Sequence, residues 1–235
     1  MIFTKKCKIT VFGDSIPKGI IFKDNKLSKI ADNAVKIVAE YYNIKIENCS
    51  VYGQTMTRIN DKGIFDDYLK NLNKKIKNIA VISIGGNDSD YNWQEVEKSP
   101  KFNHLPKTPP KEFIDLLDKS ILKLKKHKVK VILTNIPPID SKRYFNNVIS
   151  KIANPDKVLQ FLDNDIENIY RHQEFYNLLI TKCAQKNKCR LIDIRQSFLW
   201  DKGYLNKICD DGIHPNQQGY NLIAQSIIKQ INNIK

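Results

Sequence analysis

The stretch Ile79-Ala80-Val81-Ile82-Ser83-Ile84-Gly85-Gly86-Asn87-Asp88 decides the fold class. Its first six residues are mostly apolar and β-branched on both faces of a strand, which is typical of a parallel strand buried between two layers. Two glycines then permit a sharp turn that leaves Asn87 beyond the end of the strand. The stretch predicts the interior of a parallel sheet, with polar side chains at its carboxyl end.

Similar short runs lie on either side of this stretch and alternate with helical patterns. Strands are predicted at 8–12, 44–51, 79–84, 129–135 and 191–194. Helices are predicted from Asp24 or Ser28 to Tyr42, at 63–75, 109–127 and 165–186, and after Pro215. Because right-handed βαβ units cover both faces of a sheet, we expect an α/β protein. Its predicted architecture is a three-layer α/β/α sandwich with a doubly wound parallel sheet of about five strands, carrying functional residues at the strand ends.

The length of 235 residues fits a single domain spanning 1–235. One connection is unusually long, because about 55 residues separate the fourth strand from the fifth. The helix at 165–186 is long enough to be the crossover by itself. We interpret residues 136–165 as an insertion over the active site.

Composition narrows the functional classes. Hydrophobic residues make up 41% of the chain and charged residues 27%, as in soluble globular proteins. No apolar run approaches the roughly 20 residues of a transmembrane helix. Only a short apolar stretch follows Lys5 and Lys6, so no secretory signal is predicted and we expect a cytoplasmic protein. The five cysteines form no C-x-x-C pair and are expected to remain thiols.

The net charge of +14 allows two interpretations. A basic surface attracts nucleic acid, anionic lipid or acidic polymers. However, the excess is mainly lysine in a chain also rich in isoleucine and asparagine, which is typical of compositional bias. No aromatic residues are interleaved along a basic stripe, so no nucleic-acid partner is expected.

Four short segments contain groups suited to acyl transfer. Ser15 directly follows the first strand, where it could be a nucleophile or an ordinary turn or N-cap residue. Gly53 and Asn87 follow the second and third strands and could donate hydrogen bonds to a developing oxyanion. Asp211 and His214 are three residues apart before a helix. There the carboxylate could orient an imidazole that titrates near neutral pH.

Together these segments resemble a known family. Gly13-Asp14-Ser15, Gly53, Gly86-Asn87-Asp88 and Asp211-x-x-His214 are similar to the four sequence blocks of the SGNH hydrolases, also called the GDSL esterase/lipase family. The resemblance extends from about residue 9 to residue 220, with Ile16 where the family usually has leucine. It implies a flavodoxin-like sandwich and ester hydrolysis without a metal or another cofactor.

The resemblance also implies residue roles. Ser15 would attack the acyl carbon, His214 would take and return the proton, and Asp211 would orient His214. The backbone N–H groups of Ser15 and Gly53 and the side chain of Asn87 would form the oxyanion hole.

Four further residues are candidates for the substrate pocket: Asp14, Trp93, Arg143 and Tyr144. Trp93 could wall the site or pack its own loop. Arg143 and Tyr144 begin the long connection and could line the pocket, form a surface hairpin or pack.

The sequence thus favours a serine ester hydrolase that forms an acyl-serine intermediate. Its substrate would be a small-molecule, glycan or lipid ester, such as a carbohydrate O-acyl ester or a lysophospholipid. A catalytically silent binding protein on the same fold and an acyltransferase are the alternatives.

Overall fold

The computed structural model describes residues 7–233, so Lys5 and Lys6 lie outside the described part of the chain. Five parallel strands form the central sheet, and a two-stranded hairpin lies apart from it. The strands are β1 (Cys7–Gly13), β2 (Ile20–Lys23), β3 (Lys26–Lys29), β4 (Ile46–Asn48), β5 (Lys77–Ser83), β6 (Lys130–Thr134) and β7 (Arg190–Ile192).

The sheet order is β4-β1-β5-β6-β7. Strands β1 and β5 pair in register from Cys7 opposite Lys77 to Gly13 opposite Ser83. All five strands run in the same direction. The chain goes from β1 to the edge strand β4, and then adds β5, β6 and β7 on the other side of β1. This is the doubly wound flavodoxin-like arrangement. The predicted fold class is therefore confirmed.

Twelve α-helices surround the sheet in the described residues. They are α1 (Ser15–Lys18), α2 (Ala34–Tyr42), α3 (Met56–Asp61), α4 (Ile64–Lys70), α5 (Trp93–Lys98), α6 (Pro110–Lys126), α7 (Ser141–Tyr144), α8 (Ser150–Ile152), α9 (Pro155–Phe161), α10 (Glu167–Lys186), α11 (Arg195–Trp200) and α12 (Gln217–Asn232). A π-helical turn, Phe145–Ile149, joins α7 to α8, and a 3₁₀ turn spans Tyr204–Lys207.

The inner strands β1, β5 and β6 are mostly apolar on both sides because each face of the sheet is covered by helices. Ala80 and Ile82 of β5 belong to the core shared with α3, α4, α6 and α10. Ile79 of the same strand belongs to the opposite core, with α2, α11 and α12. This alternation follows from the two-residue period of a strand and produces the three layers.

The helix predicted from Asp24 or Ser28 is wrong in its first part. Strands β2 and β3 form a hairpin there, and α2 begins only at Ala34. Asp24 and Asn25 form the turn with φ angles of 52° and 57°. Two consecutive positive φ angles are the requirement of a tight type I′ hairpin turn, which Asp and Asn tolerate better than most residues.

Short helices occupy the long connection after β6. Residues of α5, of the segment 139–162 and of the start of α10 form a third apolar cluster beside the carboxyl end of the sheet. Between residues 7 and 233, no helix combines the length and apolar character needed to cross a membrane.

Candidate active site

Ser15 lies where the central strand β1 ends and helix α1 begins. The chain can turn there because residue 13 is glycine. A Cβ atom on Gly13 would lie 2.3 Å from Cγ of Pro17 and 2.6 Å from the carbonyl oxygen of Ser83. Ser15 is buried and lines a cavity. The close contact between strand end, helix and neighbouring strand therefore holds the Ser15 hydroxyl in one place.

The loop before α12 holds Asp211 and His214 in a hydrogen-bonded turn. Oδ1 of Asp211 accepts the backbone N–H groups of Ile213 and His214, both at 3.1 Å. Oδ2 of Asp211 lies 2.5 Å from Nδ1 of His214. Because an ionised carboxylate can only accept hydrogen bonds, Nδ1 carries a proton and Nε2 is left as an acceptor.

Folding brings Ser15 and His214 together across 199 positions of sequence, with Nε2 of His214 2.9 Å from Oγ of Ser15. Ser15, His214 and Asp211 thus form a hydrogen-bonded row. All three side chains are buried, with Asp211 only 2% exposed. The ring of Tyr52 stacks over the imidazole at a centroid distance of 6.4 Å. In such a row the imidazole can take the hydroxyl proton while the carboxylate stabilises the resulting charge.

The three predicted oxyanion donors come from the ends of the adjacent strands β4, β1 and β5. Asn87 lines the same cavity as Ser15. The N–H of Ser15 is the first in α1 and so has no acceptor within the helix. Gly53 adopts a φ of 65°, and its N–H has no acceptor within residues 7–233. Gly53 itself does not line the cavity, whereas the preceding Tyr52 does.

A buried carboxyl group on Asp14 lies beside this row. Its Oδ1 accepts the N–H of Ile16 at 3.0 Å, which caps α1. Burial raises the pKa of Asp14 to about 6, although the hydrogen bond from Ile16 acts in the opposite direction. The amide of Asn87 also stabilises the charged form of Asp14. Asp14 is therefore in contact with both the start of α1 and a candidate oxyanion donor.

A second buried carboxyl group, on Asp88, lies directly behind Asn87. Burial raises its pKa to about 7, and repulsion from Asp14 adds to this effect. Oδ1 of Asp88 accepts the N–H of Met56 at 2.7 Å, whereas Oδ2 is buried without a hydrogen bond. A protonated Asp88 thus fits its surroundings better than a charged one.

The cavity beside Ser15 has a volume of about 570 Å³. Three of the four candidate pocket residues, Asp14, Trp93 and Tyr144, line it. Trp93 and Tyr144 are joined through Asp90, whose Oδ1 accepts Nε1–H of Trp93 at 3.0 Å and the Tyr144 hydroxyl at 2.9 Å. Nζ of Lys107 lies 2.6 Å from the other oxygen of Asp90. Both Asp90 and Lys107 line the cavity, and sequence reasoning missed them.

Arg143, the fourth candidate, does not line the cavity. Its guanidinium donates to the carbonyl oxygens of Leu205 at 2.8 Å and Ile208 at 3.1 Å, and pairs with Asp140 at 3.1 Å. Arg143 therefore ties α7 to the chain that leads into Asp211. This gives it a positioning role and no contact with the cavity.

A scan against family models matches residues 11–222 to the GDSL-like lipase/acylhydrolase family. The chain belongs to the GDSL-like lipase/acylhydrolase family. The match covers all the segments that carry the candidate site, from the end of β1 to the start of α12. Family membership makes this chain a hydrolase.

Solved structures of the same class share the fold of this GDSL-like protein. A hydrolase from the metagenome of Lake Arreo, Spain, is 18% identical with a TM-score of 0.66, and the alignment covers 100% of this chain and 99% of that one. An acetylxylan esterase from Geobacillus stearothermophilus is 17% identical with a TM-score of 0.59, covering 95% and 93%. A lipase/acylhydrolase from Enterococcus faecalis is 19% identical with a TM-score of 0.59, covering 95% and 94%.

A search of curated protein sequences finds no significant match. Within residues 7–233, no three side chains of His, Cys, Asp or Glu gather as a group that could hold a metal ion.

Proposed function

We propose that this GDSL-like protein is a serine hydrolase of carboxylic esters that acts through an acyl-serine intermediate. One observation carries the proposal: the buried row in which Ser15 Oγ lies 2.9 Å from Nε2 of His214 and Nδ1 lies 2.5 Å from Asp211. This row opens onto a cavity large enough for a small ester. Nucleophile, base and orienting carboxylate are within hydrogen-bond reach of one another before any substrate binds.

In the first half of the reaction, Oγ of Ser15 attacks the acyl carbon and its proton passes to Nε2 of His214. The carbonyl oxygen becomes an oxyanion that accepts from the N–H groups of Ser15 and Gly53 and from the Asn87 amide. Asp211 stabilises the imidazolium through Nδ1. The intermediate then collapses, the alcohol leaves with the proton from Nε2, and an acyl-Ser15 ester remains.

In the second half, water attacks the acyl carbon of the Ser15 ester. His214 takes a proton from this water and returns it to Oγ of Ser15 as the carboxylic acid is released. Because the same donors hold the oxyanion in both halves, one arrangement of residues serves acylation and deacylation. Carbohydrate O-acyl esters and lysophospholipids are substrates that this chemistry accommodates. The similarity to an acetylxylan esterase supports the first of them.

Labelling with a fluorophosphonate probe tests the proposal, since such probes form a covalent bond with an activated serine. The probe is expected to label the wild type and the exposed-serine control Ser28→Ala. Ser15→Ala should not be labelled, and His214→Ala should lose ester turnover by several orders of magnitude while staying folded.

Equal labelling of the wild type and Ser15→Ala would overturn the assignment of the nucleophile. A wild type that neither reacts with the probe nor turns over p-nitrophenyl esters would instead be a binding protein. If added alcohols divert most of the acyl group from water, the enzyme is an acyltransferase.

A further inference from the structure

The cavity lining contains two chemically different sets of residues, which we call the polar side and the aliphatic side. The polar side includes Ser89, Asn92, Gln94 and the Asp90–Lys107 pair. The aliphatic side consists of Ile136, Ile139, Val148, Ile152, Ile169 and Ile213. An ester also has two parts, an acyl group and an alcohol, so the two sides can receive different parts of one substrate.

Part of the aliphatic side is one face of the helical segment after β6. Tyr144, Val148 and Ile152 are four residues apart, and all three line the cavity. Phe145 and Ile149, one position further on, are buried in the neighbouring apolar cluster. A π-helical turn, Phe145–Ile149, lies within this segment, and such turns are frequent at functional sites. We call Tyr144, Val148 and Ile152 the acyl wall.

Burial along the acyl wall decreases from the inside of the cavity to its mouth. Tyr144 is buried, Val148 is half-buried and Ile152 is exposed at 47%. The wall is roughly 10 to 12 Å long, since eight residues separate its ends at up to about 1.5 Å each. A saturated chain of about eight carbons fits within that length. The cavity therefore offers an apolar track that is much longer than an acetyl group.

Hydrogen bonds hold the acyl wall against the loop that carries His214. The N–H of Asp140 donates to the Gly212 carbonyl at 2.8 Å, and Nδ2 of Asn147 donates to the Asp210 carbonyl at 2.6 Å. The guanidinium of Arg143 adds the two bonds described above. The distance between the wall and the reacting groups is thereby fixed.

We propose that the acyl wall binds the acyl part of the ester and that this protein prefers medium-chain acyl groups of about eight carbons to acetyl. This inference rests on the proposed function. After acylation the acyl group stays bonded to Ser15 while the alcohol must depart, so the deep aliphatic side suits the part that remains. The side with Asn92, Gln94 and Lys107 then faces a polar alcohol. Each methylene buried against the wall improves kcat/KM by up to about fourfold.

Chain-length profiles test the inference. The measurement is kcat/KM for p-nitrophenyl acetate, butyrate, hexanoate, octanoate and decanoate, which share one leaving group. For the wild type, octanoate is expected to exceed acetate by about tenfold or more. Val148→Trp fills the track and is expected to lower the octanoate-to-acetate ratio by about tenfold or more. Asn146→Trp, at an exposed position of the same segment outside the cavity, is the control and should leave the ratio unchanged.

A second variant covers the case in which Val148→Trp does not fold. Ile152→Asp places a charge at the exposed mouth of the wall, where it has little effect on the core. It is expected to lower the decanoate-to-acetate ratio by about tenfold, since a buried methylene end would then contact a carboxylate.

Several outcomes would overturn the inference. A wild type that prefers acetate has no acyl track. Equal loss of acetate and octanoate activity in Val148→Trp means that the wall does not select chain length. If that variant changes the preference among alcohols in a series of octanoate esters and leaves the acyl profile unchanged, the wall binds the leaving group. The proposed function fails separately, because then neither probe labelling of Ser15 nor acetate turnover is observed.

Discussion

Asn87 follows β5, which is the neighbour of β1 in the sheet, and contributes a neutral amide to the cavity wall. An amide is suited to an oxyanion because it donates without titrating. The carboxyl group of Asp14 lies beside this amide. If Asn87 acts on the oxyanion, it contributes chiefly in the transition state.

Asn87→Ala is therefore expected to lower kcat by about 100- to 1000-fold with little change in KM. Steady-state kinetics on p-nitrophenyl esters measure both constants. Asn60→Ala, an exposed asparagine on α3, is the matched control and should retain the wild-type kcat. A loss confined to KM, or no loss, would remove Asn87 from the oxyanion hole.

The sequence predicts the row of Ser15, Asp211 and His214 because each member follows a strand or precedes a helix with a short, recognisable spacing. It does not predict that Asp90 joins Trp93, Tyr144 and Lys107. Those groups meet because the chain folds back on itself, with the Lys107 N–H donating to the Asp90 carbonyl at 2.8 Å. A contact between residues 54 positions apart, such as Asp90 and Tyr144, leaves no local pattern in the sequence.

The element that couples the catalytic loop to the long connection is the turn at Gly212. Its φ is 74°, and a Cβ atom there would lie 2.4 Å from the Asp140 carbonyl oxygen and 2.5 Å from the Tyr144 nitrogen. Both the backbone conformation and the space available thus require glycine. Any side chain at this position must push α7 away from Asp211 and His214.

Gly212→Ala is expected to destabilise the protein by about 2–4 kcal/mol and to lower kcat by about tenfold or more. Gly63→Ala is the matched control, because Gly63 has a φ of 58° but only the Asp66 carboxylate within 4.0 Å of a new Cβ. Gly63→Ala should lower the unfolding free energy by about 1 kcal/mol, from backbone strain alone, and leave kcat unchanged. Urea unfolding and steady-state kinetics compare the two variants. Equal effects on both measurements would show that contact with α7 is unimportant.

Element prediction succeeds for the five central strands and fails at the hairpin of β2 and β3. The inner strands β1, β5 and β6 are apolar runs whose burial on both faces agrees with their local pattern. The hairpin is mostly exposed, so no apolar periodicity marks it. The dipeptide Asp24-Asn25 between two short runs is the signal that predicts its turn. Likewise, α5 lies in a stretch predicted as loop, because packing of Trp93 and Val96 into the third cluster stabilises a helix of only six residues.

For the whole molecule, the buried carboxyl groups of Asp14 and Asp88 link stability to pH. Their pKa values of about 6 and about 7 exceed the ordinary aspartate value of about 3.9. The folded state consequently holds more protons than the unfolded state at intermediate pH. The part of the unfolding free energy due to these groups is fully present below about pH 4 and is lost as pH rises through 6 and 7.

Asp88→Asn removes this dependence at one site while keeping an acceptor for the Met56 N–H. The difference in unfolding free energy, Asp88→Asn minus wild type, is expected to grow by about 2–4 kcal/mol between pH 4 and pH 8.5. The reason is that only the wild type loses stability through this carboxyl group as the pH rises. Urea titrations at a series of pH values provide the comparison. Asp67→Asn, which removes an exposed carboxylate, is the control and should show no such rise. A constant difference between wild type and Asp88→Asn would contradict the proton linkage.

The attachment of the acyl wall to the His214 loop has a consequence for protein engineering. Asp140, Arg143 and Asn147 fasten the first part of the segment, whereas Val148 and Ile152 only face the cavity. A chimera that exchanges the entire connection with a related hydrolase would also replace these hydrogen bonds and displace the loop of His214. A crossover point after Asn147 exchanges Val148 and Ile152 and keeps those hydrogen bonds. The segment therefore divides into a first part that is held to the His214 loop and a later part where directed evolution of chain-length preference should concentrate.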